Sequence, residues 1–373
     1  MKILRLIIIL FVLISCNKTE TEDIEIDVYI PNNSGNSTTD ITIIKDEFQN
    51  KKIVIAGNAN YQFIVSFERE LDGTLLEFSQ SEIGIPIIMT DNEGNEWDIF
   101  GFAILGPRKG QRLKPTQSLI GYWFSFATFY PGIEIFPDTD RRGEFDGEKI
   151  EGSGNWLVPI DEIRSGGVGK DGIPALTNPK YNRAYSVEYL STSDLVVGVS
   201  EGENQIAYPH DVLDWHEIIN DGLGEQEYSI IYCPLTGTAT AWNRNLNGKL
   251  TTFGVSGLLF NTNIVPFDRE TDSAWSQLFD SSIFDELKGT KPDNLMVVET
   301  TWETWKIMFP QSNVVNFDTG YNRKYGDYPY GEYKTQDYLI FPVKYDDNRL
   351  NPKERVHAVV INGKARVYRF SNF

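Results

Sequence analysis

The residue types able to do covalent or metal chemistry are scarce in this 373-residue chain, which has two cysteines and three histidines. One cysteine lies in the run Tyr232-Cys233-Pro234-Leu235-Thr236-Gly237. His216 precedes it by seventeen positions, in Asp214-Trp215-His216-Glu217. A thiolate is a nucleophile, and a nearby imidazole both lowers the thiol pKa and carries its proton. The spacing admits a catalytic set with Cys233 as nucleophile, His216 as base, and Glu217 or Asp214 orienting the ring. Backbone N–H groups near Gly237 and Thr238 would then face a developing oxyanion. The plainer reading is a buried cysteine beside a hydrogen-bonded core histidine, because unpaired cysteine packs as a small hydrophobe.

Two other chemistries compete. Cys233, His216 and His210, completed by Asp211 or Asp214, form a donor set suited to zinc or copper, although no two histidines stand four positions apart. Thr236, Gly237, Thr238, Ser256, Asn261, Asn263, Arg269, Trp275 and Gln277 offer the hydroxyl, amide and aromatic groups typical of a small-ligand or carbohydrate pocket. Gly254-Val255-Ser256-Gly257 is not a phosphate loop, since no lysine follows at the required spacing, and it lacks the Gly-x-Ser-x-Gly pattern of a nucleophile elbow. His357 lies in a repeated strand pattern and reads as structural or exposed.

Short elements must position these groups. Pro209 to Asn220 predicts a helix, with Pro209 in its first turn and Asp221-Gly222 as its stop. Val212, Trp215, His216 and Ile219 share one face at helical spacing, which turns His216 inward. Tyr228–Tyr232 reads as a buried strand. Pro234 lacks an N–H and ends its pairing, and Thr238–Trp242 reads as the next strand. Cys233 is thereby expected at a strand end on a sharp turn.

The same elements recur. Arg69-Glu70-Leu71-Asp72-Gly73-Thr74-Leu75 parallels Arg244-Asn245-Leu246-Asn247-Gly248-Lys249-Leu250 at an offset of 175 without a gap. Asp-Gly and Asn-Gly are hairpin signals, because both turn positions need positive φ. Ile87 to Asp91 parallels Ile264 to Asp268, and Trp97 falls opposite Trp275. Two aromatic segments stopped by proline, Tyr122-Trp123 to Pro131 and Thr301-Trp302 to Pro310, read as matching helices, the first spanning Ser118–Tyr130. Strand–turn–strand patterns follow each, at 195–208 and 356–368. We expect an ancestral duplication of units near 50–208 and 225–370. The fold class is mainly β with short helices (α+β), built as two related β-rich halves with pseudo-twofold packing. At the same offset Asn58 stands where Cys233 stands, so one half carries the thiol.

The N-terminus reads as targeting sequence. Lys2 and Arg5 precede a nine-residue apolar run, Leu6 to Ile14, too short to span a bilayer. Leu13-Ile14-Ser15-Cys16 resembles the lipobox of bacterial lipoproteins. That resemblance implies cleavage after Ser15, lipidation of Cys16 and a membrane anchor, placing the protein in the cell envelope, at the outer membrane on its periplasmic face or at the cell surface. The expected organisation is a signal peptide over 1–15, a lipidated tether over 16–45, an N-terminal β-rich repeat over 46–150 and a second domain over 170–373. Loss of Lys2 and Arg5 takes the formal charge from −19 to −21, which excludes nucleic-acid backbones as partners. With Cys16 lipidated, Cys233 has no disulfide partner. A small molecule or an envelope component is the expected partner.

Ordered blocks over about 170–370 resemble the family of unknown function DUF3179. They include Gly172-Ile173-Pro174-Ala175-Leu176, Ala207-Tyr208-Pro209, Trp215-His216-Glu217, Tyr232-Cys233-Pro234-Leu235-Thr236-Gly237, Phe253-Gly254-Val255-Ser256-Gly257, Asp268-Arg269-Glu270-Thr271 and Trp275-Ser276-Gln277. The resemblance supplies a family and no activity. It implies a second cysteine, in many members, where this chain has Thr236, a departure that weighs against a dithiol or two-cysteine metal site here.

Overall fold

Short β-branched and aromatic runs broken by Gly, Asn and Asp turns make this body mainly β-sheet with a few short helices. The computed structural model describes residues 40–138 and 151–373. The expected signal peptide, Cys16 and nearly all of the tether lie outside the described residues. The described residues form one unit by their contacts.

The sheets come in recurring forms. Thr42–Phe48, Lys51–Asn58 and Phe63–Glu68 form a three-stranded meander, and Ile218–Leu223, Gln226–Cys233 and Thr238–Asn243 repeat its order within a larger sheet. Ser118–Tyr122 pairs antiparallel with the hairpin Arg355–Ile361/Lys364–Arg369, whose far edge takes Glu134–Ile135 in parallel. Val298–Thr301, the hairpin Leu195–Glu201/Asn204–Pro209 and Asn313–Val315 repeat that order and those directions. Each hairpin thus joins strands far from it in sequence. The bond from Tyr122 N–H to Thr236 O (2.8 Å) has its counterpart from Thr301 N–H to Tyr61 O (3.2 Å).

Local geometry recurs as well. Asp72 and Gly73 have φ of 51° and 76°, and Asn247 and Gly248 have 51° and 83°, the left-handed pair a type I′ hairpin requires. Leu76 N–H donates to Arg69 O and Thr251 N–H to Arg244 O, each at 2.9 Å. Trp97 Nε1 donates to Asp91 Oδ2 and Trp275 Nε1 to Asp268 Oδ2, each at 3.0 Å.

Among the described residues, three seven-residue helices punctuate the sheets: α1 (Trp123–Phe129), α2 (His210–His216) and α3 (Trp302–Met308). Two are shorter than helical spacing alone predicts. Ser118–Tyr122 is a strand because its backbone pairs with Arg355–Val359. Helix α2 stops at Glu217, whose φ is +57°, and Ile218–Leu223 departs as a strand paired with Gln226–Ile231. Ile218 and Ile219 suit either element, and long-range pairing decides between them. Helix α3 is capped by the Thr301 hydroxyl, which accepts from Thr304 N–H at 3.3 Å.

The apolar clusters cross the chain. One joins Val54, Phe63, Trp97 and Phe100 to Val196, Trp302 and Trp305. Another joins Trp123, Phe126 and Phe129 to Phe260, Val356 and Val367.

Candidate functional site

The strand Gln226–Cys233 carries Cys233 to the expected position, the last residue before the turn into Thr238–Asn243. Thr236 and Gly237 N–H both donate to Cys233 O, at 3.2 and 2.8 Å. Gly237 takes φ +64°, and a Cβ there would press on the Tyr122 ring at 3.3 Å, so the turn needs glycine on both counts. The thiol is 1% exposed, in a cluster with Ile231, Leu235, Trp242, Phe253 and Trp275. Its hydrogen bond goes to Thr262 O, 3.8 Å away. Burial pushes its pKa up to about 11, and the nearby Glu217 carboxylate adds to that.

His216 makes its own pairs. Nδ1 meets Pro174 O and Nε2 meets Tyr325 Oη, each at 2.7 Å, so neither ring nitrogen is engaged with the thiol. Burial lowers its pKa, which keeps the ring neutral. Glu217 is buried, accepts from Tyr330 Oη at 3.0 Å, and has its pKa raised to about 7, by burial first. Residues 316–354 form neither helix nor strand and run over this turn. Tyr328 Oη donates to Pro234 O and Tyr333 Oη to Leu235 O, each at 3.0 Å, closing it from above.

The remaining candidates lie in separate places. Thr236, Thr238, Asn263 and Gln277 form one buried network: Thr238 Oγ1 donates to Gln277 Oε1 at 2.7 Å, and Asn263 Nδ2 donates to Thr236 Oγ1 at 3.0 Å and to Gln277 Oε1 at 2.8 Å. Ser256 hydrogen-bonds Val265 O inside a β-bulge, and Trp275 is core, held by Asp268. Arg269 lies at the surface in a two-pronged pair with Asp171, at 2.7 and 2.6 Å. His210 meets Glu299 at 3.0 Å and Tyr232 Oη at 3.2 Å, and burial lowers its pKa to about 3. Among the described residues no group of three or more His, Cys, Asp or Glu side chains is placed to hold a metal ion.

A cavity of about 550 Å³ opens elsewhere, between the Phe63–Glu68 and Thr238–Asn243 strands, with Ser118–Tyr122, residues 291–299 and the Arg355–Ile361 strand completing its walls. Ile64, Leu119, Ile120, Leu295, Met296 and Val360 give it an apolar wall, and Gln117, Thr240, Gln277, Asp280, Asn294 and His357 are among its polar groups. His357 is 3% exposed. Its Nε2 meets Ser66 Oγ at 2.8 Å, while Nδ1 has no hydrogen-bond partner among the described residues. Thr240 Oγ1 is also buried without a partner there. Burial lowers the His357 pKa to about 3, so the ring stays neutral and its free nitrogen presents one donor or one acceptor. Asp280 has its pKa raised by burial, opposed by hydrogen bonds from Asn294 (2.5 Å) and Trp242 (2.9 Å). Of the residues singled out in the sequence as pocket candidates, only Gln277 lines this cavity. The available signal for His357 was a histidine inside the apolar run Val356-His357-Ala358-Val359-Val360.

Compared with known families, residues 31–133 and 170–373 match the one described as Protein of unknown function (DUF3179). The match takes in the first β-rich stretch as well as the blocks recognised after residue 170. No curated protein and no solved structure matches the chain.

Proposed function

The chain belongs to the DUF3179 family of proteins of unknown function, and from that premise we propose that it is a non-catalytic ligand-binding lipoprotein of the cell envelope, holding a small molecule in the cavity between its sheets. The observation that carries this is a space of about 550 Å³ bordered by His357 and Thr240, two residues that each hold a buried polar atom with no hydrogen-bond partner among the described residues. A buried polar atom without a partner costs about 1–3 kcal/mol, so a small shift of either side chain toward a polar group of a bound ligand would be favourable. Cys233 and His216 favour chemistry less, since their polar atoms are already engaged and the thiol is covered.

Membrane attachment at Cys16 rests on the basic start, the short apolar run and Leu13-Ile14-Ser15-Cys16. Among the described residues no helix is long and apolar enough to cross a membrane. An ancestral duplication is supported by the recurring strand orders, the matched left-handed turns and the two Trp–Asp pairs. On that reading the cavity lies where the related halves meet, because Ile64 and Val65 correspond at offset 175 to Ala239 and Thr240, and both pairs line it.

A thermal-shift screen of small molecules against the wild type and Thr240→Phe tests the proposal. At least one compound is expected to stabilise the wild type and to lose that effect in the variant, whose ring fills the space. Equal stabilisation of both proteins by every active compound would sink it.

A further inference from the structure

Resting on the cavity reading above, we infer that the ligand is a single-chain anionic amphiphile: an apolar body ended by one negatively charged head. The walls supply the apolar part, with Ile64, Leu119, Leu295 and Met296 among them. The mouth supplies the charge, because Lys51, Lys114 and Lys291 all border the cavity. Three lysines around one opening stand out in a chain of formal net charge −19. Glu68 bridges two of them, Lys51 Nζ at 3.0 Å and Lys114 Nζ at 2.7 Å, and Glu299, also in the lining, is paired with Arg355, which leaves the lining net positive. Asp280 also lines the cavity and accepts from Asn294, Trp242 and Gln117, and even with its full charge counted the three lysines outweigh Glu68 and Asp280 together.

A carboxylate or phosphate at the rim gains from these cations while its chain removes apolar wall from water. A cationic amphiphile meets like charge at the entrance. A polar sugar leaves the apolar wall of Ile64, Leu119, Leu295 and Met296 without a matching surface.

Every apolar cluster described lies within residues 41–373, so the chain from Asn17 onward keeps them all and can be prepared free of detergent. Displacement of 11-(dansylamino)undecanoate from it by laurate, methyl laurate and a lauroyl lysophosphatidate separates the possibilities. Laurate, the lysolipid or both are expected to bind at least about ten-fold more tightly than the ester, as charge-assisted contacts at a rim allow. Which acid binds tells a free carboxylate from a lipid phosphate. Lys291→Glu is expected to weaken the acids about five- to ten-fold and leave the ester unchanged. If the ester binds as well as both acids and Lys291→Glu changes nothing, the ligand class is wrong while the cavity reading stands. If none of the probes binds and Thr240→Phe also fails to alter any ligand response in the thermal screen, both fall together.

Discussion

Replacing Glu217 with glutamine isolates one buried carboxyl whose position the fold imposes. Its side chain is buried where helix α2 gives way to the next strand, and Tyr330 Oη donates to its Oε1 at 3.0 Å. Burial, with Asp214 nearby, raises its pKa from 4.5 to about 7. The folded protein therefore holds this proton to higher pH than the unfolded chain does. Between pH 4.5 and 7 the folded state binds the extra proton, so the stabilising contribution is full below that window and falls as pH rises through it. The lost contribution amounts to about 3 kcal/mol above pH 7, since each unit of difference corresponds to about 1.4 kcal/mol. Glutamine keeps an acceptor for Tyr330 and carries no charge. Glu217→Gln is accordingly expected to be more stable than the wild type by about 3 kcal/mol at pH 8, with the gain shrinking below about 1 kcal/mol at pH 5. Denaturant unfolding of both proteins at several pH values measures the difference directly, and comparison at each pH cancels the other buried carboxyls. A difference that stays flat from pH 5 to pH 8, or grows toward low pH, would refute the reasoning.

Other outcomes follow from the same geometry. Cys233, buried and with its pKa near 11, is expected to resist alkylation at pH 7.4 in the native protein and to react promptly in denaturant; rapid native labelling would show that the Tyr328–Tyr333 cover opens. Trp97→Phe and Trp275→Phe each remove one N–H from a buried aspartate and should cost similar amounts, about 1–3 kcal/mol; a large inequality would count against equivalence of the two halves. Cys16→Ser should shift the protein from the detergent phase to the aqueous phase on phase partitioning, and unchanged partitioning would remove the case for a lipid anchor.

How much was legible follows the range of the interactions. Asp72-Gly73 and Asn247-Gly248 announce their hairpins because a type I′ turn is a local demand on φ. Cys233 at a strand end follows from Pro234, which has no N–H to pair, and Gly237, which supplies the positive φ. The β-rich class and the family likewise follow from residues alone. Helix α2 was read too long because Ile218 and Ile219 satisfy helical spacing as well as strand pairing, and only the partner strand chooses.

The chemistry around Cys233 depended on contacts that sequence spacing does not encode. Pro174 and Tyr325, both distant in the chain, claim the two nitrogens of His216, and tyrosines from residues 316–354 cover the thiol. The cavity depended on them most, for its walls come from separate strands that meet only after each hairpin crosses to strands remote in sequence. The sequence by itself determined the turns and the place of the cysteine, since these are set within a few residues. The tertiary structure alone decided that the thiol is sealed and that His357 and Thr240 border an open space, because burial and unpaired atoms are properties of what packs against a residue.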